Sequence, residues 1–242
     1  MRCAEHVVAP SDLWQYYDDP PDGIRVNMIM SVDGATAFGG LAGPLSGPCD
    51  QDLLLALRGY ADAVLVGAET ARAERYRPVR LTEDQRAERR QRWGITDIPP
   101  IAVVTRSGSL PVSLFTEPAQ PPLVITTAET ARTHRDLLRR ADLLIAGTTE
   151  VDFETALRGL RARGFRRILC EGGPTLFDEL ISEDLVDEMC LTVSPTLAGT
   201  KPSGRPGAPA LQAPARLALS HAIPIDDYIY LRYRRRDADT GQ

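Results

Sequence analysis

The sequence predicts an α/β protein of three layers, with helices on both faces of a mostly parallel central sheet and antiparallel strands at its C-terminal edge. Three observations carry this expectation. From Ile24 onward, short apolar runs alternate with longer segments of helical spacing, which is the order that builds β-α-β units. The joints between them hold many of the chain's glycines and prolines, as turns require. The last two apolar runs, 217–222 and 228–233, have no helix between them and so read as a hairpin of antiparallel edge strands.

Taken in order, residues 1–23 mix aromatics, acids and prolines and read as an N-terminal extension laid over the domain surface. Residues 24–30 form a buried strand that leads into Ser31-Val32-Asp33-Gly34, and 39–48 are loop. Leu53, Leu54 and Leu57 put a helical stripe on 50–60. Ala63-Val64-Leu65-Val66-Gly67 is a second buried strand, followed by a helix through 69–74. Residues 82–93 have helical propensity but are almost wholly charged, so they predict a solvated surface helix. Strand and helix then alternate: strands at 101–105, 123–126, 142–146, 167–170 and 186–193, and helices at 129–140, 152–163 and 174–182. Residues 198–215 are rich in Gly and Pro and predict a loop. No internal repeat or linker interrupts the pattern, so 24–236 reads as a single domain and 237–242 as a frayed tail.

Composition narrows the class of function. A formal charge of −5, with arginines scattered among acids, gives no basic footprint for nucleic acid. No apolar run reaches membrane-spanning length, and the first residues lack a leader-like apolar region. Cys3, Cys49, Cys170 and Cys190 have no metal-ligand or Cys-x-x-Cys spacing. Cys170 and Cys190 sit in apolar runs and read as small core residues. A reduced, cytoplasmic setting is expected.

The most telling stretch is Arg166-Arg167-Ile168-Leu169-Cys170-Glu171-Gly172-Gly173-Pro174-Thr175-Leu176. It reads as a strand, a carboxylate at its end, two glycines, and a helix opened by proline, which suits the first helical position. Glycines let a ligand approach the backbone, and the unpaired N–H groups at a helix start favour phosphate. A tight turn without a ligand fits the segment equally well. Three other segments follow strand ends in the same way: Ser31/Asp33/Gly34, Gly67/Thr70 and Thr105/Arg106/Ser107. Ligands of open α/β sheets bind beyond the carboxyl ends of the strands, so four such segments point to one shared rim. Gly67 with Thr70, and Gly172-Gly173 with Thr175, offer two anion sites suited to a dinucleotide diphosphate and a further phosphate. Arg106 and Ser107 could hold a ribose 2′-phosphate, since guanidinium binds phosphate in a fork, although an exposed loop arginine reads the same way. No Gly-x-Gly-x-x-Gly or Walker A loop is present.

The ordered set Ser-Val-Asp-Gly, Leu-Arg-x-x-Ala-Asp-Ala-Val-Leu-Val-Gly-x-x-Thr, then Glu-Gly-Gly-Pro-Thr-Leu, Leu-Val-Asp-Glu and Leu-Thr-Val-Ser-Pro resembles the riboflavin-biosynthesis pyrimidine reductases. The likeness runs from about Ile24 to about Tyr233. It implies the dihydrofolate reductase-like fold, an NADPH cofactor, and reduction of the ribosyl side chain of an aminopyrimidine ribose phosphate to ribityl. A homodimer follows from the same resemblance. Bifunctional members add a zinc deaminase carrying His-x-Glu and Pro-Cys-x-x-Cys. Neither motif occurs here, so a stand-alone reductase without metal is expected.

Carried over position by position, the resemblance assigns Asn27, Asp33, Ser46, Arg58, Glu74, Arg80 and Glu171 to substrate. It gives Thr70 and the turn Gly173, Pro174, Thr175, Leu176, Phe177 to the cofactor, to which the reading of the strand ends adds Gly67, Thr105, Arg106, Ser107 and Gly172. Glu171, with Glu74 or Asp33, would accept donors of the pyrimidine; Arg58 and Arg80 would hold the sugar phosphate, and Ser46 the opened ribose. Two departures bear on the substrate. Asn27 stands where bacterial bifunctional enzymes have lysine, as in archaeal and fungal-type relatives, and Ala73-Glu74 replaces an Ala-Asp pair. The proton donor is not identified, because His6, His134 and His221 lie outside every motif. A dihydrofolate or pterin reductase on the same fold, or an NADPH-binding protein without turnover, are the competing readings.

Overall fold

The computed structural model describes residues 8–95, 97–135, 139–199, 211 and 213–236. The expected fold class is what it shows: three layers around one sheet of nine strands. The strands are β1 (Ile24–Ser31), β2 (Ala63–Gly67), β3 (Ile101–Val104), β4 (Leu123–Thr126), β5 (Asp142–Ile145), β6 (Ile168–Cys170), β7 (Val186–Ser194), β8 (Leu217–Ile225) and β9 (Tyr228–Arg235). Their order across the sheet is β5-β4-β3-β2-β6-β1-β7-β9-β8. The first seven run parallel, and β9 pairs antiparallel with both β7 and β8.

Among the described residues the helices are α1 (Pro48–Tyr60), α2 (Ala68–Ala73), α3 (Glu83–Trp93), α4 (Ala128–Thr133), α5 (Phe153–Ala162) and α6 (Pro174–Ser182). Their ends follow from local chemistry. Proline opens α1 and α6, where its missing N–H costs nothing. Thr82 and Gln85 form a reciprocal capping box on α3, which closes on Gly94 at φ 67°. Asp152 caps α5 through the Thr155 N–H at 2.6 Å.

One apolar cluster lies on each sheet face. Leu53 and Leu57 of α1 pack with Val64, Val66 and Leu169 on one side. Phe153 and Leu160 of α5, with Leu176 and Leu180 of α6, pack with Val26, Leu65 and Cys170 on the other. Cys170 and Cys190 are buried core residues, as expected.

Some segments differ from the sequence reading. Leu13 and Tyr17, in a 3-10 turn over Pro10–Tyr17, are 1% exposed and belong to the core rather than lying over it. α3 is not wholly solvated: Arg89 is 2% exposed and donates to the carbonyls of Gly59, Ala61 and Asp97. It thereby satisfies carbonyls left open where α1 ends. α4 covers Ala128–Thr133, and of the rest of the expected helix at 129–140, residues 136–138 lie outside the described residues. The tail at 237–242 and most of the loop at 198–215 also lie outside the described residues.

Candidate active site at the carboxyl edge of the sheet

β3, β2, β6 and β1 are consecutive neighbours running in parallel. Their carboxyl ends therefore form one edge, and the four segments singled out above follow it in the order Thr105–Ser107, Gly67–Thr70, Glu171–Gly173, Ser31–Gly34.

At the middle of that edge two turns meet. The Gly67 N–H donates to the Gly172 carbonyl at 2.8 Å. A Cβ on Gly173 would stand 2.1 Å from Thr70 Oγ1, so only glycine fits there. Gly172 has φ +81°, and a Cβ built on it meets nothing within 4 Å. The residue is buried, yet the room beside its Cα is clear, in a conformation that glycine adopts without strain. The Gly172–Gly173 peptide is cis. α6 starts here with no side-chain cap. Phe177 N–H already closes the first turn onto Gly173 O, which leaves the Thr175 and Leu176 N–H groups as the free donors. Pro174 and Thr175 are exposed, whereas the Leu176 and Phe177 side chains pack into the core. The turn is thus a cradle of backbone groups that fits a diphosphate.

Glu171 lies beside this cradle, its N–H continuing the β2–β6 ladder to Leu65 O. Its carboxylate is far from free. Arg58 Nε and a terminal nitrogen of the same guanidinium each donate to one oxygen at 2.7 Å, and the Tyr76 hydroxyl donates to Oε2 at 2.6 Å. Three donors take most of the roughly four lone-pair positions of a carboxylate. Arg58 is also covered by the Tyr76 ring, 5.4 Å from the guanidinium carbon. Burial, then the adjoining Glu171 charge, hold the Tyr76 phenol well above its ordinary range. Arg58, assigned by resemblance to the sugar phosphate, is spent on Glu171 in this structure. Arg80 stands apart from the cluster, its side chain 84% exposed and 3.6 Å from Glu117.

The other carboxylates also have internal partners. Glu74 accepts the Ala42 N–H at 2.7 Å and so pins the loop that carries Ser46. Asp33 accepts from the Ser31 hydroxyl at 2.5 Å and from the Ala198 and Gly199 N–H groups at 3.0 and 2.8 Å. The Ser31 hydroxyl and then these backbone donors hold its pKa down to about 2. Ser46 donates to Asp50 at 2.5 Å. Asn27, on β1 between these groups, is half-buried, and its Oδ1 has no hydrogen-bond partner.

The 2′-phosphate candidates sit one strand away from the cradle. Thr105 is buried, and its hydroxyl accepts the Gly108 N–H at 3.1 Å, shaping the turn. Ser107 and Arg106 are exposed; Arg106 pairs with Glu150 at 2.6 Å. Sequence reasoning missed Tyr76 and Asp50. Tyr76 sits in a loop with no motif of its own, and the only trace of Asp50 is its position four residues after Ser46.

The chain is 30% identical over 178 residues to a 2,5-diamino-6-ribosylamino-4(3H)-pyrimidinone 5′-phosphate reductase from Methanothermobacter thermautotrophicus, covering 73% of this chain and 79% of that protein. A reductase of the same name from Archaeoglobus fulgidus is 29% identical over 184 residues, 74% of this chain and 83% of that one. Among solved structures, a pyrimidine reductase-like protein from Corynebacterium diphtheriae superposes with a TM-score of 0.79 at 28% identity, over 95% of this chain and all of the other. The family model of the RibD C-terminal domain matches residues 23–230, and the chain belongs to that family.

Proposed function

We propose that this protein is an NADPH-dependent reductase of riboflavin biosynthesis. Its substrate is a 6-ribosylaminopyrimidine 5′-phosphate, either the 2,5-diamino pyrimidinone or its deaminated uracil counterpart, whose ribosyl chain becomes ribityl. The observation that carries this reading is the junction of the Gly67–Thr70 and Gly172–Gly173 turns directly beside Glu171. One ligand can lie on the backbone cradle while a second meets the carboxylate. The names of the relatives supply the reaction class.

Bound in the cradle, the cofactor's nicotinamide supplies a hydride. The chain's own residues orient and bind. The backbone of Gly172, Gly173, Thr175 and Leu176 takes the diphosphate, and Arg106 with Ser107 the 2′-phosphate. Glu171, held in place by Arg58 and Tyr76, accepts a pyrimidine N–H with its remaining lone pair. The unpartnered Asn27 Oδ1 accepts a second donor. Arg80, the more exposed of the two arginines, takes the sugar phosphate. The same reading makes the protein a cytoplasmic homodimer, with β8, the last strand of the sheet among the described residues, and exposed Leu219 and Ile229 as the surface for the second copy.

Following absorbance of the reduced cofactor tests it. NADPH and NADH are each offered with the diaminopyrimidinone phosphate, its deaminated counterpart and dihydrofolate. Oxidation of NADPH with a pyrimidine phosphate is the expected result. Turnover of dihydrofolate alone, or of nothing, would replace this reading with one of the competing two.

A further inference from the structure

The reduction proposed above needs one proton as well as one hydride. As the anomeric nitrogen forms a double bond to C1, the C1–O bond of the ribose breaks and its electron pair leaves on oxygen, which must be protonated. Hydride then adds to C1, the π pair returns to nitrogen, the sugar carbon is reduced and the nicotinamide oxidised. Of the groups at the site, Arg58, Glu74, Asp33 and Glu171 are committed to internal partners.

Asp50 is the third residue of α1 and is 8% exposed. The Ser46 hydroxyl is 2.5 Å from Oδ2, and the Thr192 side chain lies near enough to favour the charged carboxylate. Thr192 is on β7, in register with Ile29 of β1, two residues beyond the register of Asn27 with Cys190. Parallel neighbours in register point the same way, so the Asp50 group faces the same side of the sheet as Asn27. Arg58 is two turns further along α1, a separation of about 12 Å at 1.5 Å per residue. α1 thus spans the site, with Glu171-Arg58-Tyr76 at one end, Ser46-Asp50-Thr192 at the other, and the unpartnered Asn27 oxygen between them. A pyrimidine at the first end places its sugar toward the second.

We propose that Asp50 supplies the proton of the reduction, passing it through the Ser46 hydroxyl to the leaving ribose oxygen. This rests on the proposed reaction. Ser46 meets the substrate; Asp50 acts through it and is a positioning residue. After turnover Asp50 is a carboxylate and regains its proton from solvent. Burial favours the neutral acid and holds its pKa above the ordinary carboxylate value, against the opposing pull of the Ser46 and Thr192 hydroxyls. The ionisable groups packed around it are the Cys49 thiol on α1 and the Tyr230 phenol on β9, both raised by burial and therefore neutral. Asp52 and Asp226 lie near Cys49. Among the described residues, no cation bears on Asp50's ionisation.

The test has two arms. In the ligand-free chain, thermal stability is followed against pH for wild type and Asp50→Asn. A buried acid with a raised pKa binds its proton more tightly when folded, so wild type loses stability as pH rises from about 4 through the raised value. Asparagine has no such loss, and the difference in Tm should widen in favour of the variant with rising pH. In the second arm, Asp50→Asn should lower kcat about a hundredfold, the scale of general acid catalysis, with KM and NADPH affinity little changed. The fall of wild-type kcat at high pH should vanish in Asp50→Asn, and Asp50→Glu should recover part of the rate. Thr192→Val removes a hydroxyl that favours the carboxylate and should move that fall to higher pH. If wild type turns over a pyrimidine phosphate while Asp50→Asn keeps kcat within about threefold, or the Thr192→Val profile does not move, Asp50 is not the proton source. If wild type turns over no pyrimidine phosphate, the reaction itself is wrong and this assignment falls with it.

Discussion

Glu171 and Arg58 hold each other in a bidentate pair whose side chains are 4% and 18% exposed. Glu171→Gln keeps the volume but leaves an enclosed guanidinium with a weaker partner. We expect a stability loss of about 1–3 kcal/mol, the cost of an imperfectly paired buried group. We also expect a drop in kcat/KM with NADPH affinity unchanged. Both are read on one preparation, and a loss of stability with kcat/KM intact would make the carboxylate purely architectural. Arg106 is the opposite case. Its pair with Glu150 is exposed, 53% and 74%, so it is worth little and can be exchanged for a phosphate. Arg106→Ala should weaken NADPH binding by roughly tenfold or more, as for a charge-assisted contact. Glu150→Gln should tighten it, and neither should move NADH affinity. Titration calorimetry with both cofactors checks this; parallel changes for NADPH and NADH would remove Arg106 from the 2′-phosphate. The place of Glu171 at the end of β6, beside the glycine turn, was legible in Cys170-Glu171-Gly172-Gly173, because a carboxylate before two glycines stands out. Its partners were not. Arg58 and Tyr76 are 113 and 95 residues away, and local spacing carries no information about such contacts.

At the scale of elements, the two glycine turns work as one unit. The Gly173 position is closed by Thr70 Oγ1 at 2.1 Å, while the Thr70 Cβ is 3.5 Å from the same point. Gly173→Ala should therefore cost about 1–3 kcal/mol, as overpacking does, and weaken cofactor binding by forcing the turns apart. Thr70→Ala takes away the hydroxyl that clashes and leaves Cβ at ordinary contact distance. The double variant Gly173→Ala/Thr70→Ala should regain most of the stability lost by Gly173→Ala alone. Denaturant midpoints on the four proteins of the cycle decide the point, and additive losses would mean the turns are independent. The strands and most helices were legible because buried parallel strands are short continuous apolar runs and the helices carry caps at their starts. That β3, β2, β6 and β1 are neighbours was not legible. β6 enters the sheet between β2 and β1, far from its place in the chain, and periodicity is silent on strand order.

Over the whole molecule, the end of the sheet away from the candidate site is held by buried charge. Glu188 is fully buried and pairs with Arg25, Arg232 and Arg234. Arg25 and Arg232 also donate to the carbonyls of Tyr17 and Tyr16, fixing the 3-10 turn over Pro10–Tyr17 to the sheet. His221 packs edge-on against Tyr16 and Tyr17. This arrangement explains why an N-terminal stretch without a clear pattern is part of the core: its anchors come from β1, β7, β8 and β9. Such a clamp is acid-sensitive. Burial raises the cost of the Glu188 charge, but Arg25, Arg232 and Arg234 outweigh it and hold its pKa low, so its stabilisation is lost only at low pH. His221 adds a second acid-sensitive group. Burial, reinforced by the Arg232 charge, pushes its pKa down from 6.5 to about 4. Above 6.5 the histidine is neutral in both states and contributes nothing to the pH dependence. Below it the unfolded chain takes up a proton that the folded chain refuses until about 4, so stability falls across that window. Its Nε2 is buried without a partner, so phenylalanine can keep the ring packing and remove the site of protonation. Tm measured between about pH 7 and pH 4 should fall less steeply for His221→Phe than for wild type, the two curves converging at the upper end. Amide protection in residues 10–17, taken relative to the intrinsic exchange rate at each pH, should fall with acid in wild type and stay flat over the same interval in the variant. Parallel curves would show that this histidine is not what makes the clamp yield.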